Sequence, residues 1–198
     1  MSDHLKYIDQ QIIDMLSIND AKAMTLLYNT YYKMVYIKVR VYMGDDDDAD
    51  DLVQELFSSI WEKRKHLKLM APLKGYLLVA AFNRTTNFVK TKRRKDGNLV
   101  RLSEKVLEKS SPNGDAGNRE ELRTMIKNAA QKLPEKTKVV FLLSKFFGLS
   151  NSEIAQFLNV TVKAVEKHIT KALKLMRIFL MNEFIVSLAM LIGYQHAG

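Results

Sequence analysis

Three groups of side chains in this 198-residue chain carry chemistry beyond packing. The first is a run of carboxylates, Asp45-Asp46-Asp47-Asp48 and Asp50-Asp51, followed by Leu52, Gln54 and Glu55. The second joins amides to cations: Lys74, Asn83, Arg84, Asn87, Lys90, Arg93 and Arg94. The third is Thr161, Lys163, Glu166, Lys167, Thr170, Lys171 and Lys174. Carboxylates attract cations, either metal ions or a basic protein surface. Amides and guanidinium groups read base edges, and lysines neutralise phosphates. The chain has no cysteine and only four histidines. Disulfides, thiolate zinc sites and cysteine nucleophiles are therefore excluded.

The aspartate run does not read as a metal site. A calcium loop needs a sharp-turn glycine where Ala49 or Asp50 stands, and no closing pattern follows. Metal-assisted phosphodiester cleavage needs carboxylates that converge from positions fixed by the fold. A consecutive run at a helix start points them around the axis instead. What such a run does suit is the positive end of the helix dipole. No metal, cofactor, small-molecule substrate or catalytic residue is expected.

The elements that position these groups are all helical. Period-two alternation is nearly absent, and no Asn-Gly or Asp-Gly hairpin separates β-branched runs. Apolar periodicity predicts helices over about 8–17, 20–43, 47–66, 72–94, 118–131, 135–147, 151–158 and 161–181. Gly44 and Gly148 stand where helices close. Pro72 and Pro134 stand where helices begin. Leu52, Val53, Leu56, Ile60 and Trp61 form the buried stripe of the third helix. Residues 96–117, with Asp96-Gly97-Asn98 at one end and Ser110 to Gly117 at the other, read as a flexible linker. The expected fold is all-α, with two small helical domains at 1–95 and 118–181 joined by that linker. An apolar tail at 182–198 follows, too short for a membrane span.

Residues 150 to 176 have the layout of a helix-turn-helix, whose second helix enters a DNA major groove. At about 100° per residue, Val162, Val165, Ile169, Ala172, Leu173 and Met176 share one arc. That arc is expected to pack on Ile154, Ala155 and Leu158. Lys163, Glu166, Lys167, Thr170 and Lys174 gather opposite, flanked by Lys171. Thr161 suits an N-cap, and Asn159 tolerates a left-handed turn.

Charge divides the chain further. The net charge is +9, which favours polyanions. Residues 1–62 hold five Lys or Arg and twelve Asp or Glu, whereas residues 63–95 hold eleven Lys or Arg and no acid. So abrupt a switch suggests two customers, a basic protein surface and a phosphate backbone. The N-terminus lacks the basic start and apolar core of a signal peptide, and a cysteine-free chain fits the cytoplasm.

The order of these motifs resembles the sigma-70 family of transcription initiation factors, in its extracytoplasmic-function group. Tyr31-Tyr32-Lys33-Met34-Val35-Tyr36, Asp48 through Phe57, Trp61, Leu77 through Arg84 and Asn87 are similar to the family's region two. Leu133-Pro134-Glu135-Lys136, Val139-Val140-Phe141, Gly148-Leu149-Ser150, Glu153-Ile154-Ala155 and Val165 through Ile169 are similar to region four. The detailed wording is similar to members from the Bacteroidetes. The resemblance implies that Asp50, Asp51, Leu52, Gln54 and Glu55 dock on the clamp helices of the RNA polymerase β′ subunit. It implies that residues 65–75 and the helix with Lys74, Asn83, Arg84, Asn87, Lys90, Arg93 and Arg94 open and hold the minus-ten element of promoter DNA. Thr161, Lys163, Glu166, Lys167, Thr170, Lys171 and Lys174 would read the minus-thirty-five element. The implied partners are core polymerase, through β′ and the β flap, promoter DNA, and a membrane-bound anti-sigma factor.

This chain departs from the family pattern in its longer acidic run. It also has Glu166, His168 and Thr170 where many members carry arginines. A rival is a response-regulator-type transcription factor, which shares the Glu-Ile-Ala and Val-Glu-Lys-His words. Such proteins carry a βα-alternating receiver or another sensory domain upstream, for which residues 1–95 give no pattern. A DNA-cleaving enzyme built on the aspartates is the second rival, and labelled DNA with magnesium separates it.

Overall fold

The computed structural model describes residues 2–66, 72–95 and 114–194. Among them, eight α-helices and one short 3-10 turn account for the regular structure, and no strand occurs. In chain order these are α1 (Ser2–Ser17), α2 (Lys22–Met43), α3 (Asp46–Lys63), the 3-10 turn Arg64–His66, α4 (Leu73–Lys95), α5 (Gly114–Gln131), α6 (Glu135–Lys145), α7 (Asn151–Leu158) and α8 (Val162–Tyr194). The helices group into two compact units. One comprises residues 1–97 with Phe146–Leu149, the other residues 98–145 and 150–198.

In the first unit, α2, α3 and α4 pack on one another and α1 packs on α2. Each contributes one apolar stripe. Leu27, Val35 and Val39 come from α2, Leu52, Val53, Leu56 and Ile60 from α3, and Leu73, Leu77, Leu78 and Phe82 from α4. The spacing of three and four residues is what turns one face of a helix into core. Gly44 closes α2 in the left-handed conformation at φ 75°, and its N–H bonds the Arg40 carbonyl at 2.8 Å. Asp45 then caps α3, accepting from the Asp48 N–H at 3.1 Å. Trp61 is only half-buried and serves as a platform for Arg64, whose guanidinium lies 3.9 Å from the ring centroid.

In the second unit, α8 packs against α5, α6 and α7. Ser150 and Glu153 form a reciprocal capping box at the start of α7: the Glu153 N–H donates to Ser150 Oγ at 3.3 Å, and the Ser150 N–H to Glu153 Oε2 at 2.7 Å. Such a pair satisfies two orphan amides at once.

Several boundaries differ from the sequence reading. α1 begins at Ser2 rather than near residue 8. α5 begins at Gly114, inside the expected linker; the rest of that linker, 96–113, lies outside the described residues. α8 does not stop at 181 but runs to Tyr194. No glycine or proline interrupts Asn182 to Ile192, so nothing breaks the helix there.

The phenol of Tyr31 is buried and donates a hydrogen bond to Asp9. Burial first, and then that carboxylate, hold its ionisation well above the ordinary phenol range. An unfolded tyrosine ionises near pH 10 while the folded one stays neutral, so the contribution of Tyr31 to stability is constant below about pH 10 and falls above it. Urea unfolding followed by circular dichroism from pH 8 to pH 11 is expected to show this fall. The Tyr31→Phe variant is expected to show a shallower one.

Candidate nucleic-acid and protein interfaces

The acidic surface begins with the rotation of α3. With Leu52, Val53 and Leu56 turned inward, Asp51, Gln54 and Glu55 are left exposed on the opposite side. Asp50 sits at the margin, and both its oxygens are engaged. One accepts from the Tyr32 hydroxyl, the other from Gln54 Nε2 at 2.6 Å. Tyr32 itself is stacked between Tyr28, at 4.1 Å between centroids, and Tyr36, at 6.3 Å. Leu52 does not belong to the surface. It is 5% exposed, because its position on α3 falls within the core stripe.

Of the residues assigned to the minus-ten element, Asn83, Asn87 and Lys90 share one exposed face of α4. Their spacing of four and three stacks them along the axis. Lys74 is exposed in the first turn. Arg84 points elsewhere. Its guanidinium donates to Ser59 Oγ of α3 at 2.6 Å and stands 4.0 Å from Glu55. One position beyond Asn83, it is rotated by about 100° and meets the neighbouring helix while staying partly exposed. Arg84 is thus a tie between α4 and α3 rather than a member of the amide face. Lys92 makes a second tie by pairing with Asp48. The side chains of Arg93 and Arg94 lie outside the described residues, as do residues 67–71. Between the two helices runs a groove of about 310 Å³ lined by Asp48, Asp51, Leu52, Glu55, Arg84, Asn87 and Phe88.

The third group is arranged as the periodicity predicts. Asn159 closes α7 in the left-handed conformation at φ 51°. Thr161 Oγ1 accepts from the Ala164 N–H at 3.2 Å at the head of α8. Lys163, Glu166, Lys167, Thr170, Lys171 and Lys174 are all exposed. The buried arc of α8 is narrower than drawn from sequence. Val165, Ala172 and Met176 are buried, but Val162 is 42% and Leu173 51% exposed. Both stand on the same edge of the arc. His168 leans inward, its Nδ1 3.1 Å from Thr137 Oγ1 of α6, so it steadies α8 on the unit.

Two residues escaped the sequence reading: Tyr32, which holds Asp50, and Ser59, which holds Arg84. Neither contact has a local signature, since each joins residues on different helices. The capping box at Ser150 also escaped it, although Ser-x-x-Glu ahead of an apolar run is a local signal that could have shown it.

Comparison with known proteins bears on both units. The family model for sigma-70 region 2 matches residues 27–95, and that for sigma-70, region 4 matches residues 123–176. An ECF RNA polymerase sigma-E factor from Haemophilus influenzae is 24% identical over 177 residues, covering 83% of this chain and 90% of that protein. An RNA polymerase sigma-H factor from Pseudomonas aeruginosa is 24% identical over 173 residues, covering 83% and 89%. The solved structure of CnrH, in complex with the cytosolic domain of CnrY, matches with a TM-score of 0.61 at 19% identity. It covers 88% of this chain and 98% of CnrH, a likeness of fold.

The contrast between Leu52 and its neighbour gives a direct check. Truncating a buried leucine removes packing and leaves a cavity, so Leu52→Ala is expected to cost about 2–5 kcal/mol. Glu55→Arg, on the exposed side of the same helix, is expected to stay within about 0.5 kcal/mol of wild type. Paired denaturant unfolding curves measure both.

Proposed function

Because the chain belongs to the sigma-70 family of RNA polymerase sigma factors, in its extracytoplasmic-function group, we propose how its surfaces divide the work of starting transcription. The chain binds core polymerase and directs promoter recognition and initiation; bond-making belongs to the polymerase. The observation that carries this reading is the match of regions two and four, in order, to the parts of the chain that bear the acidic surface, the amide face and the helix-turn-helix.

In this reading the exposed side of α3, with Asp51, Gln54 and Glu55, docks on the basic clamp helices of β′, and Asp50 fixes that surface through Tyr32 and Gln54. Asn83 and Asn87 on α4 take unpaired bases of the minus-ten element, with Lys74 and Lys90 on its phosphates. A helix presenting amides in a row can bond exposed base edges once the strands part. Arg93 and Arg94 would extend the phosphate contact. α8 enters the major groove of the minus-thirty-five element. Lys163, Lys167, Lys171 and Lys174 neutralise phosphates, and Glu166 and Thr170 face base edges; a carboxylate accepts from the cytosine amino group. The β flap is the polymerase partner of this second unit.

We place the protein in the cytoplasm with its polymerase. No helix among the described residues is long and apolar enough to cross a membrane. An inhibitory protein partner is part of the reading. CnrH was solved in complex with the cytosolic domain of CnrY, and a membrane-bound anti-sigma factor would be the corresponding partner of this chain.

Transcription in vitro with purified core polymerase, with transcript starts mapped, tests the whole reading. Core alone is expected to start at random and core plus this chain at defined promoters; no gain of start-site choice defeats it. Glu55→Arg is expected to weaken co-purification with core. Lys167→Glu is expected to leave core binding intact and weaken upstream-duplex binding by about tenfold in a gel shift, as loss and reversal of one phosphate contact would.

A further inference from the structure

Asp9 is a buried carboxylate that none of the proposed interfaces uses. It lies on α1, is 7% exposed, and accepts two hydrogen bonds from other helices. The Tyr31 hydroxyl of α2 donates to Oδ1, and the Leu73 backbone N–H donates to Oδ2 at 3.1 Å. Leu73 is the first residue of α4, the helix whose exposed face bears Asn83 and Asn87.

The first amides of a helix have no partner within it and need an outside acceptor. Helices usually find that acceptor in the residue just before them. Here Pro72 occupies that place, and its side chain has no acceptor to offer. The cap comes instead from a residue 64 positions away in sequence. A cap supplied by another helix fixes the position of α4 as well as its stability, because it ties the α4 start to α1 and, through Tyr31, to α2. At the far half, Arg84 on Ser59 and Lys92 on Asp48 tie α4 to α3. A slip of one residue along a helix moves a side chain by about 1.5 Å and turns it by about 100°. Anchors at both ends therefore decide where the amide row points.

We infer that Asp9 is a positioning residue for promoter-strand capture: by capping α4 from α1 it sets the axial register and rotation of Asn83 and Asn87. The inference rests on the reading of α4 as the helix that holds the minus-ten strand. It makes α1, which lies ahead of the matched region-two segment beginning at residue 27, a working part of DNA capture.

Holoenzyme assembled from core polymerase and the full chain supplies the test. Fluorescence anisotropy measures its affinity for two probes from a promoter mapped by in vitro transcription: a single strand spanning the minus-ten element, and a duplex holding only the upstream element. Asp9→Ala is expected to weaken single-strand binding by about tenfold, in line with loss of hydrogen bonds to a charged group. Duplex binding and core association are expected to stay within about twofold. Asp9→Asn is expected to restore most of the loss, since its amide oxygen can still accept from Leu73. Equal losses on both probes indicate a general structural role and overturn the inference, as does a wild-type affinity of Asp9→Ala for the single strand. If Asp9→Ala does not fold, Tyr31→Phe releases only one of the two bonds and is expected to give a smaller loss on the single strand alone; equal or absent losses overturn the inference there too. A wild-type holoenzyme that ignores the single strand defeats the reading of α4 instead.

Discussion

The grip of α2 and α3 on the apolar side of α4 is the constraint from which the first unit follows. Leu73, Leu77, Leu78, Ala81 and Phe82 are buried, and Thr85 joins them by returning its hydroxyl to the Ala81 carbonyl at 2.7 Å. Each large side chain in that stripe contributes roughly 1.5–3 kcal/mol when removed from water. The same rotation that buries them is what exposes Asn83, Asn87 and Lys90. Core packing thus decides which side of α4 carries the amides, and the polar anchors at its two ends trim their register. The α3–α4 seam adds Arg84 and Lys92 as polar ties where the apolar stripe ends.

Electrostatics sorts the partners of that unit. Six aspartates crowd residues 45–51 of the chain, a repulsive arrangement in isolation. The fold relieves it locally. Asp45 is spent as a cap, Asp46 pairs with Arg40, Asp48 with Lys92, and Asp50 accepts from Tyr32 and Gln54. The start of α3 contributes its own positive dipole. Asp47 and Asp51 are the two exposed aspartates left over, and Asp51 stands with exposed Glu55, four residues on, as a pair of outward carboxylates suited to a basic surface. The run looked like a single acidic patch in the sequence, but most of it holds the unit together.

How much could be read beforehand depended on the range of each interaction. The helix-turn-helix was legible because its determinants are local: Asn159 in the left-handed region, Thr161 as cap, and a two-faced helix after them. The all-helical class was legible from periodicity alone. Side-chain partners across helices were not. Asp9 reaches Leu73, Tyr32 reaches Asp50, and Arg84 reaches Ser59 only once the helices have packed, and no spacing rule links them. Arg84 is the instructive case. It sits between Asn83 and Asn87 in sequence, yet one residue of rotation turns it toward Ser59 of α3. The helix wheel placed Leu52 inside correctly, while motif similarity placed it on the docking surface; burial favours the wheel. At α8 the wheel was too generous: Val162 and Leu173, at one edge of the apolar arc, are exposed.

Glu166 constrains how α8 can lie on DNA in the proposed reading. A carboxylate near the phosphate backbone is repelled at every sequence, whereas one aimed into the groove is compensated where it accepts from a cytosine amino group. On α8 it stands beside the exposed edge formed by Val162 and Leu173, away from the line of Lys163, Lys167, Lys171 and Lys174. The lysine line must therefore track a phosphate strand while the Glu166 edge turns to the base pairs. Exposed Val162 then lies on the same edge, where an apolar side chain can meet a thymine methyl group. In that reading the charge pattern of one helix sets both its roll on the duplex and the kind of base it prefers, through a residue that lowers affinity for other sequences.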